Sequence, residues 1–200
     1  MSEFLAFAQV GFRHIVALDA ADHILFLLAL AAIYRGRDWR SALWVISAFT
    51  IGHSVTLALA VLNVLTVPAP LVEFLIPVTI VLTGVENLIL RERAAAGRGA
   101  YHRPVFAAVF GLVHGAGFAG YLKSLFVERI ALPLFGFNVG IEMGQLVVLL
   151  AAAGLFVVLD RAIALVPRRL PADPFRLRLV GVSAVVTLVA SSWAWSRWPA

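Results

Sequence analysis

The chain has 200 residues, 62% of them hydrophobic and only 14% charged. A soluble domain carries roughly 45–50% apolar and about 25% charged residues, so this composition excludes a water-soluble fold and requires lipid as solvent. The formal charge of +5 indicates arginine-rich loops at a membrane face, not nucleic-acid binding; the absence of cysteine removes disulfides, thiolate ligands and thiol nucleophiles.

About 20 apolar residues cross a bilayer as a helix, so the chain is expected to be all-α, a polytopic bundle of about six spans forming one transmembrane domain over residues 1–200. Residues 1–9 lack the basic start and cleavage site of a signal peptide and read as an interfacial lead-in. The spans are expected over residues 12–34, 39–64, 71–90, 104–125, 132–159 and 177–195. Pro68 and Pro70 stop the second span, Pro77 should kink the third, and Pro104 and Pro133 open the fourth and fifth. Pro167, Pro171 and Pro174 keep the last loop irregular, and Gly97 and Gly99 make 94–100 the expected flexible segment. Trp193, Trp195 and Trp198 read as an interfacial aromatic belt.

Loop charge sets the expected orientation. Arg35, Arg37 and Arg40 lie in the first loop, Arg91, Arg93, Arg98 and Arg103 in the third, and Arg161, Arg168, Arg169, Arg176 and Arg178 in the fifth. The second loop has no basic residue, and the fourth has Lys123 and Arg129 beside Glu128. Alternate basic loops face the cytoplasm, which puts both termini outside and the chain in a bacterial inner membrane as a multi-pass protein.

A weak internal echo links the second and fourth spans. Phe49 stands four residues before His53, and Phe110 four before His114; each following span carries an internal glutamate, Glu86 and Glu142. Both copies start at the cytoplasmic side, as in a parallel repeat of the kind transporters contain.

Ionisable groups inside spans are costly and normally face a cavity or a partner. This chain places His14, Asp19, Asp22 and His23 in the first span, His53 and Ser54 in the second, Glu86 and Asn87 in the third, His114 in the fourth, and Asn138, Glu142 and Gln145 in the fifth. Asp19, Asp22 and His23 share one helix face; the i, i+4, i+7 sets Thr79, Thr83, Glu86 and Asn138, Glu142, Gln145 form two further polar stripes. Such stripes are expected to face the bundle interior. At about 1.5 Å per residue, Asp22, His23, His53, His114 and Glu142 fall near the midplane. Two carboxylates and three imidazoles at one depth suit a borderline divalent cation: nickel, zinc, cobalt, copper or iron. The expected metal set is therefore Asp22, His23, His53, His114 and Glu142, with Asp19, Ser54, Glu86, Asn87, Asn138, Gln145 and His14 in supporting or path positions. Gly111, Gly115, Gly117 and Gly120 of the fourth span allow close helix approach or leave room for a path. His102 reads as solvated, Glu73 as an interfacial charge and Asp160 as a surface charge.

Five stretches together resemble one family: Asp22 to Leu28, Ala48 to Leu57, Val85 to Asn87, Phe110 to Ala119 and Gly136 to Gln145. In this order they look like the HupE/UreJ family of hydrogenase and urease accessory membrane proteins. The family's Asp-His falls on Asp22 and His23, its His-Ser on His53 and Ser54, its Glu-Asn on Glu86 and Asn87, its His-Gly on His114 and Gly115, and its fifth-span Asn and Glu on Asn138 and Glu142. The resemblance implies nickel, or more broadly transition-metal, entry that supplies hydrogenase or urease maturation. The expected partners are the metal ion and the bilayer, with a homo-oligomer compatible and no nucleic acid. An intramembrane metal-dependent hydrolase acting on a lipid or lipidated substrate is the alternative, so enzymatic activity stays open at this stage. A structural or sensor subunit that uses the polar groups as bundle glue is the third reading.

Overall fold

The computed structural model describes residues 2–35, 38–89, 102–125, 130–165 and 173–199. They form seven α-helices and no strand: α1 (Glu3–Val16), α2 (Ala21–Ala32), α3 (Trp39–Val61), α4 (Ala69–Ile89), α5 (His102–Leu125), α6 (Ala131–Leu165) and α7 (Pro174–Ser196). Five of them are long and apolar enough to cross a membrane, six if the bent pair α1–α2 counts as one span. The loop 94–100, Pro167, Pro171 and the arginines at 37, 91, 93, 98, 168 and 169 lie outside the described residues.

The first span differs from expectation. It is not one helix over 12–34 but two, bent by 69° across a short 3-10 turn, Leu18–Ala20. Residues 3–9, expected as an interfacial lead-in, belong to α1 and pack along α6. Glycine is the reason the two helices approach so closely. A Cβ on Gly140 would run into the Ala8 carbonyl, and one on Gly11 into the Phe137 carbonyl. The register pairs Phe4 with Gly136, Ala8 with Gly140 and Ile15 with Gly144, so α1 and α6 run parallel. The turn at 18–20 therefore falls partway along α6.

α3 and α5, the helices that carry the internal echo, also pack in parallel through glycine. Gly52 faces the Ala108 carbonyl, Gly111 faces Phe49, and Gly115 faces His53. α4 and α7 form a third close pair, antiparallel, with Gly84 against Thr187 and Phe74 against Trp198. α2 fills the space between α4, α6 and α7. The central core joins Phe26, Leu27, Phe49, Leu57, Ile80, Phe137 and Ile141. The outer surface is also apolar, with Trp44, Leu150, Leu155, Val185 and Leu188 exposed, as lipid contact demands.

Three boundaries carry physical reasons. Pro174, expected in irregular loop, instead opens α7, and the Asp173 carboxylate caps the helix by accepting from the Phe175 N–H. Pro77 lies inside α4, which continues through it from Ala69 to Ile89. α6 has 35 residues, roughly 52 Å of helix against a hydrocarbon core of about 30 Å. It extends beyond the expected 159 and carries Asp160 into the arginine-rich end, where Asp160 accepts from Arg178 at 2.8 Å.

Candidate metal centre

The break between α1 and α2 builds the site. His14 ends the last turn of α1, Asp22 and His23 begin α2, and His53 projects from α3. His14, His23 and His53 each offer a nitrogen, and these three atoms lie within 4.8 Å of one another. Ligands at about 2 Å from a common metal lie roughly 3.3 Å apart, so the three nitrogens need to draw together by at most about 1.5 Å to share an ion. His114 of α5 stands beside it, 5.2 Å from His23 between ring centroids.

The hydrogen bonds leave the right atoms free. Asp22 Oδ1 accepts from the His23 backbone N–H at 2.9 Å and lies 3.0 Å from His23 Nδ1. A carboxylate on Nδ1–H holds the ring in the tautomer whose Nε2 carries a lone pair, the arrangement that orients metal-binding imidazoles. Thr79 donates its single hydroxyl hydrogen to the Ile76 carbonyl at 2.7 Å, so it accepts from His114 Nε2 at 3.1 Å. That leaves His114 Nδ1 as the acceptor. His14 Nε2, His23 Nε2, both nitrogens of His53 and His114 Nδ1 are buried without a hydrogen-bond partner. Buried polar atoms are normally satisfied, and five orphaned imidazole nitrogens in one place fit a cation.

Aromatic rings enclose the group. Phe118 lies 3.9 Å from His14, Phe137 stacks on His53, and Phe26 and Phe49 flank His114. Phe26, Phe49 and Phe110 make the layer beneath it. On the other side a cavity of about 820 Å³ reaches His14, Asp22, His23 and His114 and is lined higher up by Glu73, Tyr121 and Arg197. Glu73 and Tyr121 are exposed and lie toward the end where α4 begins and α5 ends. Glu73, expected as an interfacial charge, is thus part of the vestibule wall.

A second polar cluster lies beyond the aromatic layer. Arg103 is buried and donates to Glu86 at 3.1 Å and Asn87 at 2.7 Å, while Asn87 donates to the Ala29 carbonyl at 2.6 Å. His102 Nε2 lies 2.8 Å from Glu86. His102 is therefore half-buried and bonded, not simply solvated, and Glu86 and Asn87 are engaged in tying α2, α4 and α5 together.

The expected metal set is thus regrouped. His23 and His53 converge, His114 adjoins them, and Asp22 supports His23. His14, placed by sequence in a supporting position, supplies a nitrogen to the group. Glu142 is not brought in: it lies on the exposed face of α6, while Ile141, Gly144 and Gln145 are buried. Of the same stripe, Gln145 is buried and accepts from Thr50 at 2.8 Å, and Asn138 is half-buried. Ser54 donates to the Thr50 carbonyl at 2.6 Å. Asp19 lies in the 3-10 turn. Glu142→Gln is expected to leave nickel affinity within about twofold, as surface changes usually do; calorimetric titration of the purified protein checks it.

These features define a multi-pass helical membrane protein with an imidazole cluster, suited to a metal ion, at the break of a split helix. The chain belongs to the HupE/UreJ family: the family model described as HupE / UreJ protein matches residues 1–197. No curated protein and no solved structure matches it. Membership places it among membrane accessory or metal-transport proteins.

Proposed function

We propose that this chain is a permease for a divalent transition metal, nickel foremost, in the bacterial inner membrane, supplying hydrogenase or urease maturation. The observation that carries this reading is the meeting of three imidazoles with unpartnered nitrogens, from α1, α2 and α3, two of which, His14 and His23, line a wide cavity with His53 buried behind them. Split helices that meet at mid-membrane are a recurring way for transporters to bind ions, because the freed helix ends face the site. The last carbonyls of α1 put the negative end of a helix dipole there, and the Asp22 carboxylate offsets the positive end of α2.

Loop charge turns the cavity toward the outside, since Arg35, Arg103, Arg161 and Arg178 lie at the opposite end. The layer of Phe26, Phe49 and Phe110 and the Arg103–Glu86–His102 cluster then close the inward path. This is the outward-open arrangement of an alternating-access carrier. The sequence has no phosphate-binding loop, so the membrane potential would drive entry, at about 4.6 kcal/mol per 100 mV for a dication.

A hydrolase needs a carboxylate free to act as general base beside the metal. Asp22 is bonded to His23, Glu73 stands at the exposed end of the cavity wall, and Glu142 lies on the exposed face of α6. Transport is therefore the favoured reading. Uptake of radiolabelled nickel into proteoliposomes under an inside-negative potential tests it. The wild-type protein should accumulate nickel and His23→Ala/His53→Ala should not; equal uptake by the two, or none by the wild type, would refute the proposal.

A further inference from the structure

The described vestibule wall lacks the acid excess that would suit a bare cation. A permease for free M²⁺ gains from a mouth lined with acids, which concentrate cations. Among the described side chains, the charged ones lining the cavity are Arg13, Arg197, Glu73 and Asp22. Among the described residues that makes two guanidinium groups against two carboxylates, and one of the carboxylates, Asp22, is held on the His23 ring.

The guanidinium groups are also placed with depth. Arg13 immediately precedes His14 and shares its level, while Arg197 follows the end of α7. Among the described residues neither forms an ion pair; Arg197 lies over the Trp193 ring. An arginine deep in a membrane protein normally faces a partner or water, and Arg13 faces the cavity that leads to the imidazoles. The space is large as well. Six waters around an ion occupy roughly 180 Å³, and the cavity measures about 820 Å³, room for a small organic molecule.

We infer that the metal arrives in the vestibule as a small polycarboxylate chelate, with Arg13 and Arg197 holding the chelator's carboxylates while the metal passes to the imidazoles. The inference rests on the permease reading and names the form of its substrate. A guanidinium fork matches a carboxylate bidentately, so Arg197 captures the complex at the mouth and Arg13 holds it beside His14. Metal–oxygen bonds to the chelator break as metal–nitrogen bonds form to His14, His23 and His53. The chelator stays on the guanidinium groups until the metal is released inward and then leaves as its carboxylate anion, with no change in oxidation state.

Equilibrium dialysis of the detergent-purified, full-length protein tests this with two labels, ⁶³Ni and ¹⁴C-citrate. Nickel is supplied either as its citrate complex or in a non-coordinating buffer at matched free-ion activity. Labelled citrate should be retained only when nickel is present. In Arg13→Gln and in Arg197→Gln the nickel bound from citrate, relative to that bound from buffer, should fall about tenfold, in line with loss of a charged hydrogen bond. Arg13→Lys, which keeps the charge, should keep a larger share, and Arg197→Gln, at the exposed end, reads the same effect should Arg13→Gln fail to fold. Citrate that is never retained, with nickel occupancy following free-ion activity alone in wild type and variants, overturns the inference and leaves the permease reading standing. Nickel bound from neither source overturns the permease reading itself.

Discussion

His53→Ala lowers nickel affinity by roughly 100-fold or more. Outer partners of a metal ligand typically contribute 10–100-fold in affinity, and a ligand itself contributes at least as much. His53 is fully buried, neither of its nitrogens has a partner, and it sits between Phe49 and Phe137. Among the described His, Asp and Glu side chains, it is the one from α3 that joins His14 and His23. Asp22→Asn should show the smaller, outer-partner effect of about 10–100-fold, because the amide weakens the hold on Nδ1–H while leaving Nε2 in place. Nickel titration by calorimetry in detergent measures both, with thermal unfolding of the metal-free proteins alongside. Wild-type affinity in a folded His53→Ala protein would remove His53 from the site. An Asp22→Asn loss as large as that of His53→Ala would make Asp22 a direct ligand instead.

The sequence carries most of the architecture because lipid allows few solutions. Apolar runs of about 20 residues and alternating loop charge suffice for the spans in α3, α4, α5 and α7. The break in the first span leaves no such mark: residues 17–21 contain neither proline nor glycine. Its consequence was equally hidden. On a continuous helix His14 and His23 stand nine residues apart, on opposite faces and about 13.5 Å apart along the axis. Only the bend across residues 18–20 brings them together, so sequence spacing assigned His14 to the path and not to the ligand group. Glu142 stands apart from the group for a different reason. Successive helix positions turn by about 100°, so Asn138 and Gln145 lie on one side of Glu142 and the stripe has angular width. The edge of the buried face runs through it, with Gln145 inside and Glu142 outside. Arg103, read as a loop charge, is buried against Glu86 and Asn87, since α5 starts two residues earlier than Pro104 suggested.

Glycine replacements should separate helix packing from empty space. Gly52→Ala, Gly111→Ala, Gly115→Ala and Gly140→Ala each put a methyl group against a facing backbone carbonyl. Backbone cannot rotate aside as a side chain can, so the helices must part, at a cost of about 1–3 kcal/mol typical of overpacking. That outweighs the gain of up to about 1 kcal/mol from replacing glycine by alanine within a helix. Gly120→Ala and Gly154→Ala meet nothing within 4 Å and should keep that gain. A lower unfolding temperature for the first set and an unchanged or higher one for the second is the expected result in detergent. Gly115→Ala should also weaken nickel binding, because its new methyl presses on the His53 backbone and shifts the ring that completes the group with His14 and His23. Gly154→Ala, far along α6, should bind nickel as the wild type does. Equal behaviour of the two sets would mean that the α3–α5 and α1–α6 pairs are not held at glycine distance, and the imidazoles would then lack the rigid frame that keeps them within reach of one ion.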